Sequence, residues 1–516
     1  MRGLTVTRTL GRTSTRDRVA VAAMCWVVLV GALIAADGNL SLRVALLLSA
    51  LPLVVAVVNR SIRATLLGLV LWLVALGLVR RLVSSGTGSS VSTDPLLLVG
   101  PIALGVLLIV ASSKGAFKRL TPLASSVFYL SIVAIIEAFN PLQGGLLVGV
   151  GGMLLVLFPM LAFWIGRILV DRNLLQDILR VVSVLAALDA CYGLFQQFSG
   201  FPSWDQRWIT SSGYAALGIG AFDRSFGSFA SSQEYAVFLS VGLIIWIAFF
   251  RSDRGARWLV TQATAIAILG VALVLESQRS AVVIVVFALG AVAAAKSRRR
   301  PSGALIVGGL FLLLLYIVVG QFASPSNSQV AANSTSAFTS HLISGLANPL
   351  GQESTLPGHL ARVGAGIASG FTNPIGYGTG SITLAASHLG GAAILGTEFD
   401  PGNAGVAFGF VGLVLYLVVA WRAFRVTYWS ALAQRDPVRI AVVGIAAATL
   451  FQWLNGDLYS VTWLFWLTLG WTDRQFYAIE GKSERMALRL ASDNRGLPEG
   501  AMRRPNAKQR QASGPN

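Results

Sequence analysis

Charge is what this chain has least of. Asp, Glu, Lys and Arg make up 12% of its 516 residues, against 55% apolar side chains and a mean hydropathy of +0.70. So little charge excludes the soluble globular class, in which about a quarter of residues are charged. Acids are the scarcer sign, 22 against 40 Lys and Arg, and a net charge of +18 raises nucleic acid as a partner. The distribution removes it. The arginines sit in short clusters between apolar runs and in the two tails, the pattern that orients a membrane protein. Cysteine is almost missing: Cys25 and Cys191 each lie inside an apolar run, and are expected as small core residues with no disulfide or metal role. The three histidines, His341, His359 and His388, have neither a neighbouring Cys nor a close His pair, so no metal site is expected. No small-residue cleavage pattern follows the first apolar run, so no cleavable signal peptide is expected either.

What is there is a succession of apolar runs, at 19–36, 43–58, 63–79, 95–111, 123–138, 144–166, 178–198, 234–250, 257–275, 280–296, 303–320, 404–422, 438–455 and 458–471. They predict an all-α polytopic integral membrane protein with about 14 (12–14) transmembrane helices, by the roughly 20-residue criterion. The N-terminus carries Arg2, Arg8, Arg12, Arg16 and Arg18 against Asp17 and is placed in the cytoplasm, so alternate connections should be basic. They are: Arg60/Arg63, Lys114/Lys118/Arg119, Arg167/Arg172/Arg180, Arg251/Arg254/Arg257, Lys296/Arg298/Arg299/Arg300 and Arg422/Arg425/Arg435/Arg439. The intervening connections are poor in Lys and Arg, with Arg80-Arg81 the main exception. The expected organisation is a basic cytoplasmic tail at 1–18, a transmembrane domain at 19–472 with long outer loops at 199–233 and 321–403, and a cytoplasmic, largely disordered tail at 473–516.

The 321–403 loop has no Lys and holds all three histidines. Phe338, Leu342 and Leu346, and then Leu356, Leu360, Val363 and Ile367, recur at helical spacing, which predicts helices lying along the membrane surface or capping a cavity. Its Gly376-Tyr377-Gly378-Thr379-Gly380 lacks the context of a nucleotide-binding loop and suits a tight backbone approach to a ligand or a neighbouring helix.

Polar groups inside apolar segments are costly, and here they gather on one side. Glu137, Gln196, Gln197, Gln233, Glu234, Glu276, Gln278 and Arg279 all fall at the outer ends of their spans, with Asp189 near mid-span, which favours a cavity open to the outer face. Arg279 stands at a tight outer turn, where its planar fork can hold phosphate oxygens, snorkel to the interface or pair with Glu276. Arg224 ends the 199–233 loop; it can share a pyrophosphate with Arg279 or form an exposed ion pair with Asp223. Glu398 and Asp400, where the chain returns to the membrane, can act as bases, as can His359, three residues before Arg362.

The region from Asp189 to Trp421 resembles the O-antigen ligase and O-antigen polymerase superfamily of bacterial cell-surface glycan enzymes. Three patterns carry the resemblance. Gly193-Leu194-Phe195-Gln196-Gln197-Phe198-Ser199-Gly200 is followed by Arg224 and Gly227-Ser228-Phe229; Ser277-Gln278-Arg279-Ser280-Ala281 opens an apolar run; and the large outer loop carries Pro374-Ile375-Gly376-Tyr377-Gly378-Thr379-Gly380 and is closed by Gly409-Phe410-Val411-Gly412. The resemblance implies transfer of a glycan from an undecaprenyl pyrophosphate carrier to an acceptor glycan or lipid, at the outer face of the bacterial cytoplasmic membrane, without metal or cofactor. Arg224 and Arg279 would bind the pyrophosphate, with Glu276, Gln278, Gly376, Gly378 and Asn403 in support and other polysaccharide-assembly proteins as partners. Ligases of that family have a His where this chain has Glu398, eleven residues before Gly409. The base is therefore Glu398, Asp400 or His359, or the chemistry departs from that of the ligases. Two other readings remain. A polyprenyl-phosphate-sugar-dependent glycosyltransferase would place acids in the first outer loop, where Asp37 stands alone. A lipid-linked oligosaccharide flippase would line a path across the bilayer with charge, for which only Asp189 is placed.

Overall fold

The computed structural model describes residues 60–84, 94–212, 218–219, 222–250, 255–276, 279–297, 356–383, 386, 389–390 and 399–493. The described residues are helical apart from turns and one two-residue antiparallel pairing, β1 (Gly218–Ile219) with β2 (Phe222–Asp223). The helices are α1 (Ile62–Ser84), α2 (Val99–Ser113), α3 (Pro122–Glu137), α4 (Leu146–Leu169, with a π-helical stretch at Met153–Leu157), α5 (Arg172–Ser199), α6 (Ser203–Ser212) and α7 (Ser232–Ala248). They continue with α8 (Ala256–Glu276), α9 (Arg279–Lys296), α10 (Leu356–Thr372), α11 (Asp400–Ala433), α12 (Pro437–Ala448) and α13 (Tyr459–Asp493).

Starts follow from local chemistry. Thr121 accepts the Ala124 N–H at 3.1 Å ahead of α3, Asp171 the Leu174 N–H at 2.7 Å ahead of α5, and Asp436 the Val438 N–H at 3.3 Å ahead of α12. Pro122 and Pro437 then occupy first helical positions, where a missing N–H costs nothing. Eleven of the predicted apolar runs fall on these helices, and the runs at 19–36, 43–58 and 303–320 lie outside the described residues, as does Cys25. Six helices among the described residues are long and apolar enough to cross a membrane, and four more are apolar but of 10–17 residues. Of the expected fourteen runs, three thus lie outside the described residues and four make helices below the length a straight crossing needs.

Contacts at the helix ends fix their directions. At one end Arg63 of α1 meets Asp177 of α5 at 2.6 Å, Arg172 of α5 holds Asp436 through two bonds of 2.7 Å, and Arg167 of α4 meets Asp473 of α13 at 3.0 Å. At the other, Arg81 of α1 meets Asp205 of α6 at 3.3 Å, and Glu234 of α7 accepts the Ser460 N–H of α13 at 2.7 Å. So α1, α7 and α13 each join opposite ends of the bundle, and most basic connections lie at the first. Between the ends the core is apolar and aromatic. Trp453 stacks on Phe465 at 4.0 Å, and α4 crosses α13 where Gly166 abuts the Leu467 carbonyl and Gly470 the Phe163 carbonyl. Small residues at such a crossing let backbones approach. The outward faces are apolar too: Val184, Leu188, Phe195 and Phe198 form an exposed stripe on α5, as suits lipid.

Three expectations are corrected. Cys191 is exposed on that α5 stripe instead of buried in a core, because in lipid the outer face of a helix is as apolar as the inner one. Arg80 and Arg81 are not a stray basic connection: both are buried, Arg80 meeting Asp94 at 3.3 Å and Arg81 meeting Asp205. The 472/473 boundary cuts a continuous helix, since α13 runs to Asp493 and Asp473 is wholly buried on Thr121 and Arg167. Within the 321–403 region, α10 packs against the first turns of α11, ahead of its break at Gly409. Its Gly366 meets Gly402 and Gly405, and its Gly370 meets Gly405 and Gly409, so it runs parallel along α11, its glycines making the contact while Leu360 is exposed.

Single cysteines at the exposed positions Asp457 and Gln434, in a chain whose Cys25 and Cys191 are Ser, test the helix directions in sealed vesicles. A membrane-impermeant maleimide should modify the two from opposite sides; modification of both from one side contradicts the bundle described.

Candidate functional site

At the end opposite the basic connections, the chain between β2 and α7 passes through the bundle as irregular backbone. Peptide groups there have little water, so each needs a protein partner. Side chains from α1 and α5 supply them. Gln196 Oε1 accepts the N–H groups of Phe226 (3.1 Å) and Gly227 (2.9 Å), and its Nε2 donates to Asp205 (2.8 Å) and to the Gly227 carbonyl (3.3 Å). Arg81 Nη2 donates to the same carbonyl at 2.6 Å, and Asp189 Oδ1 accepts the Ser228 N–H at 2.7 Å. The Ser228 hydroxyl donates to the Val74 carbonyl at 2.8 Å. Gly227 is required twice over, by its φ of +52° and by the space: a Cβ there would stand 2.7 Å from Asp189 Oδ2 and 2.6 Å from the Tyr235 ring.

Arg81 is fully buried, with its guanidinium over the Phe226 ring at 4.6 Å. Asp205 is equally buried and also accepts from Tyr192 at 2.8 Å. Removing one partner of such a pair strands the other charge, at about 3–5 kcal/mol. Tyr235 is also wholly buried, its ring beside Gly227 and its hydroxyl against Gly193 of α5. Arg224 stands two residues before this held segment. It is half-buried, its Nε makes no hydrogen bond among the described residues, and no ion pair joins it to Asp223. Glu276 is fully buried, and three residues on Arg279 begins α9; Gln278 lies outside the described residues.

The glycine motif makes a second irregular segment. Tyr377 and Gly378 donate to the Val406 and Ala407 carbonyls of α11 at 2.8 and 3.1 Å, and Thr379 to the Glu137 carbonyl at 3.2 Å. Gln143 Oε1 accepts the Gly380 N–H at 3.0 Å, and Asn140 joins Glu137 (2.7 Å) to the Gly376 carbonyl (3.0 Å). A Cβ on Gly376 (φ +91°) would lie 2.6 Å from the Ala407 carbonyl, and one on Gly378 (φ +101°) 2.6 Å from Gln143. Of the two partners expected for this motif, the neighbouring helices are the ones found. Phe410 N donates to Pro374 at 3.1 Å, which is why α11 breaks at Gly409.

The candidate bases separate. Asp400 is fully buried; its Oδ2 accepts from Tyr416 (2.8 Å), Leu454 N (3.0 Å) and Trp453 N, tying the start of α11 to the turn between α12 and α13. Asn403, also buried, is one turn on. His359 is half-buried on α10, about two turns before Gly366, and the parallel packing carries it past the start of α11. Glu398, His341 and His388 lie outside the described residues. Sequence reasoning missed Arg81 and Asp205; the one signal available was the basic pair that broke the charge pattern. No protein-family model matches the chain, and no curated protein matches it.

Asp400→Asn keeps an acceptor for the Trp453 and Leu454 N–H groups, whereas Asp400→Ala strands them at about 1–3 kcal/mol each. Thermal unfolding in detergent should be close to the parent for Asn and clearly lower for Ala; equal loss in both would deny the tie.

Proposed function

We propose that this chain is a membrane glycosyltransferase of the O-antigen ligase/polymerase type. It moves a glycan from an undecaprenyl pyrophosphate carrier to an acceptor hydroxyl on a glycan or lipid, during surface polysaccharide synthesis. The observation that carries the reading is Arg224: half-buried, beside a rigidly held segment, and not paired with Asp223. An arginine in that state suits a phosphate group better than a structural ion pair. Arg279, three residues after the buried Glu276 and first in α9, is assigned as the second half of the clamp.

In this reaction the bond between the anomeric carbon and the pyrophosphate oxygen breaks as the acceptor oxygen bonds to that carbon from the opposite side, with inversion. Arg224 and Arg279 neutralise the charge that grows on the leaving pyrophosphate, so that it departs unprotonated. The acceptor proton passes to Glu398, Asp400 or His359. Asp400 accepts from Tyr416, Trp453 and Leu454 through Oδ2, while its buried Oδ1 takes no hydrogen bond among the described residues. Asp189, the one acid placed for a flippase's path in mid-bilayer, accepts the Ser228 N–H through Oδ1. The site faces the outer side of the bacterial cytoplasmic membrane, and the basic end, with both termini, faces the cytoplasm. About 14 spans complete the frame, and 321–403 forms its large outer loop.

Arg224→Ala, Arg279→Ala and Arg279→Lys, each expressed at parental level in a deletion strain, should cut surface glycan by about 10²–10³-fold and leave lipid-linked units accumulating. Normal glycan in all three contradicts the clamp.

A further inference from the structure

We propose that Asp189, Gln196 and Arg81 are positioning residues for Arg224. They hold the Phe226–Ser228 backbone so that the guanidinium is presented to a pyrophosphate already in place. This rests on the assignment of Arg224 to the donor pyrophosphate.

The geometry points to this because the hold is so complete. The N–H groups of Phe226, Gly227 and Ser228, and the carbonyl of Gly227, are all taken by three side chains. Two of those side chains come from α5 and one from α1, continuous helices of 28 and 23 residues. None of the three needs to be charged or bulky merely to fill the core. An apolar helix face would pack as well and would avoid burying Arg81 and Asp205. The buried pair is explained if it serves the segment: Asp205 orients the Gln196 amide at 2.8 Å, and Arg81, held by Asp205 at 3.3 Å, caps the Gly227 carbonyl. With Gln196 so oriented, its carbonyl oxygen can only face the Phe226 and Gly227 N–H groups. Arg224 is two residues from the first of these bonds, a reach over which backbone position passes on to the side chain. A preset cation costs no reorganisation when the leaving group takes up charge.

The test uses the purified full-length protein in nanodiscs, with Cys25 and Cys191 replaced by Ser. A spin label on Asp223→Cys, beside Arg224 and exposed, reports the mobility of the segment without reference to any ligand. Undecaprenyl pyrophosphate is the binding probe. Asp189→Ala and Gln196→Met should mobilise the label and weaken probe binding about tenfold. Asp189→Asn, which still offers an oxygen to the Ser228 N–H, should keep both near the parental values. If Asp189→Ala fails to fold, Gln196→Met decides, being close to isosteric and apolar. An immobile label and unchanged binding in Gln196→Met and in any folded Asp189→Ala overturn the proposal. Loss of binding in Asp189→Asn as severe as in Asp189→Ala overturns it too. Should Arg224→Ala bind the probe normally, the functional reading fails instead, and the label alone judges the hold.

Discussion

The constraint on which this structure depends is that backbone inside a membrane bundle must find its hydrogen bonds within the protein. A helix meets this by itself; a segment that leaves the helical path does not. Two such segments lie at one end of the bundle, and each is satisfied differently. The Phe226–Ser228 stretch takes bonds from side chains of α1 and α5, which requires a buried Gln, two buried acids and a buried Arg. The Gly376–Gly380 stretch instead presses against the backbone of α11 and the end of α3, which requires glycine wherever a Cβ would strike a carbonyl or Gln143.

The polar groups gathered at this end of the bundle thus have two levels of purpose. Glu234, Asp400, Glu137 and Gln143 stitch helix ends and turns together. The hold on Phe226–Ser228 does this too, and on the proposal above it also presets Arg224, whose Nε makes no hydrogen bond among the described residues. That surplus is what separates a site from a scaffold. On the proposed function, Arg224 and the start of α9 would seat the anionic group of a lipid carrier.

Much of this was legible in the sequence, for definite reasons. Helices announce themselves through long apolar runs, and caps such as Thr121-Pro122 and Asp436-Pro437 mark where they begin. The glycine motif was read as a close backbone approach because its spacing fits nothing that binds a nucleotide. Other features were not legible. Arg81 and Gly227 are 146 positions apart, and no local pattern joins them. In an apolar helix the lipid face and the buried face have the same composition, which is how Cys191 came to be expected in the core. The start of α10 was read from its Leu and Val spacing, whereas Gly366 and Gly370, which let two helices touch, made the contact. The tie that Asp400 makes to Trp453 and Leu454 is equally hidden in the sequence, because those residues come from a distant turn.

The account stands or falls on whether the chain breaks the bond between glycan and pyrophosphate. Purified protein reconstituted with an undecaprenyl pyrophosphate-linked glycan and an acceptor, with no nucleotide sugar added, measures this directly. The prediction is release of free undecaprenyl pyrophosphate in step with product formation, abolished by Arg224→Ala. Intact lipid-linked glycan moving from one leaflet to the other, with no pyrophosphate released, would contradict it.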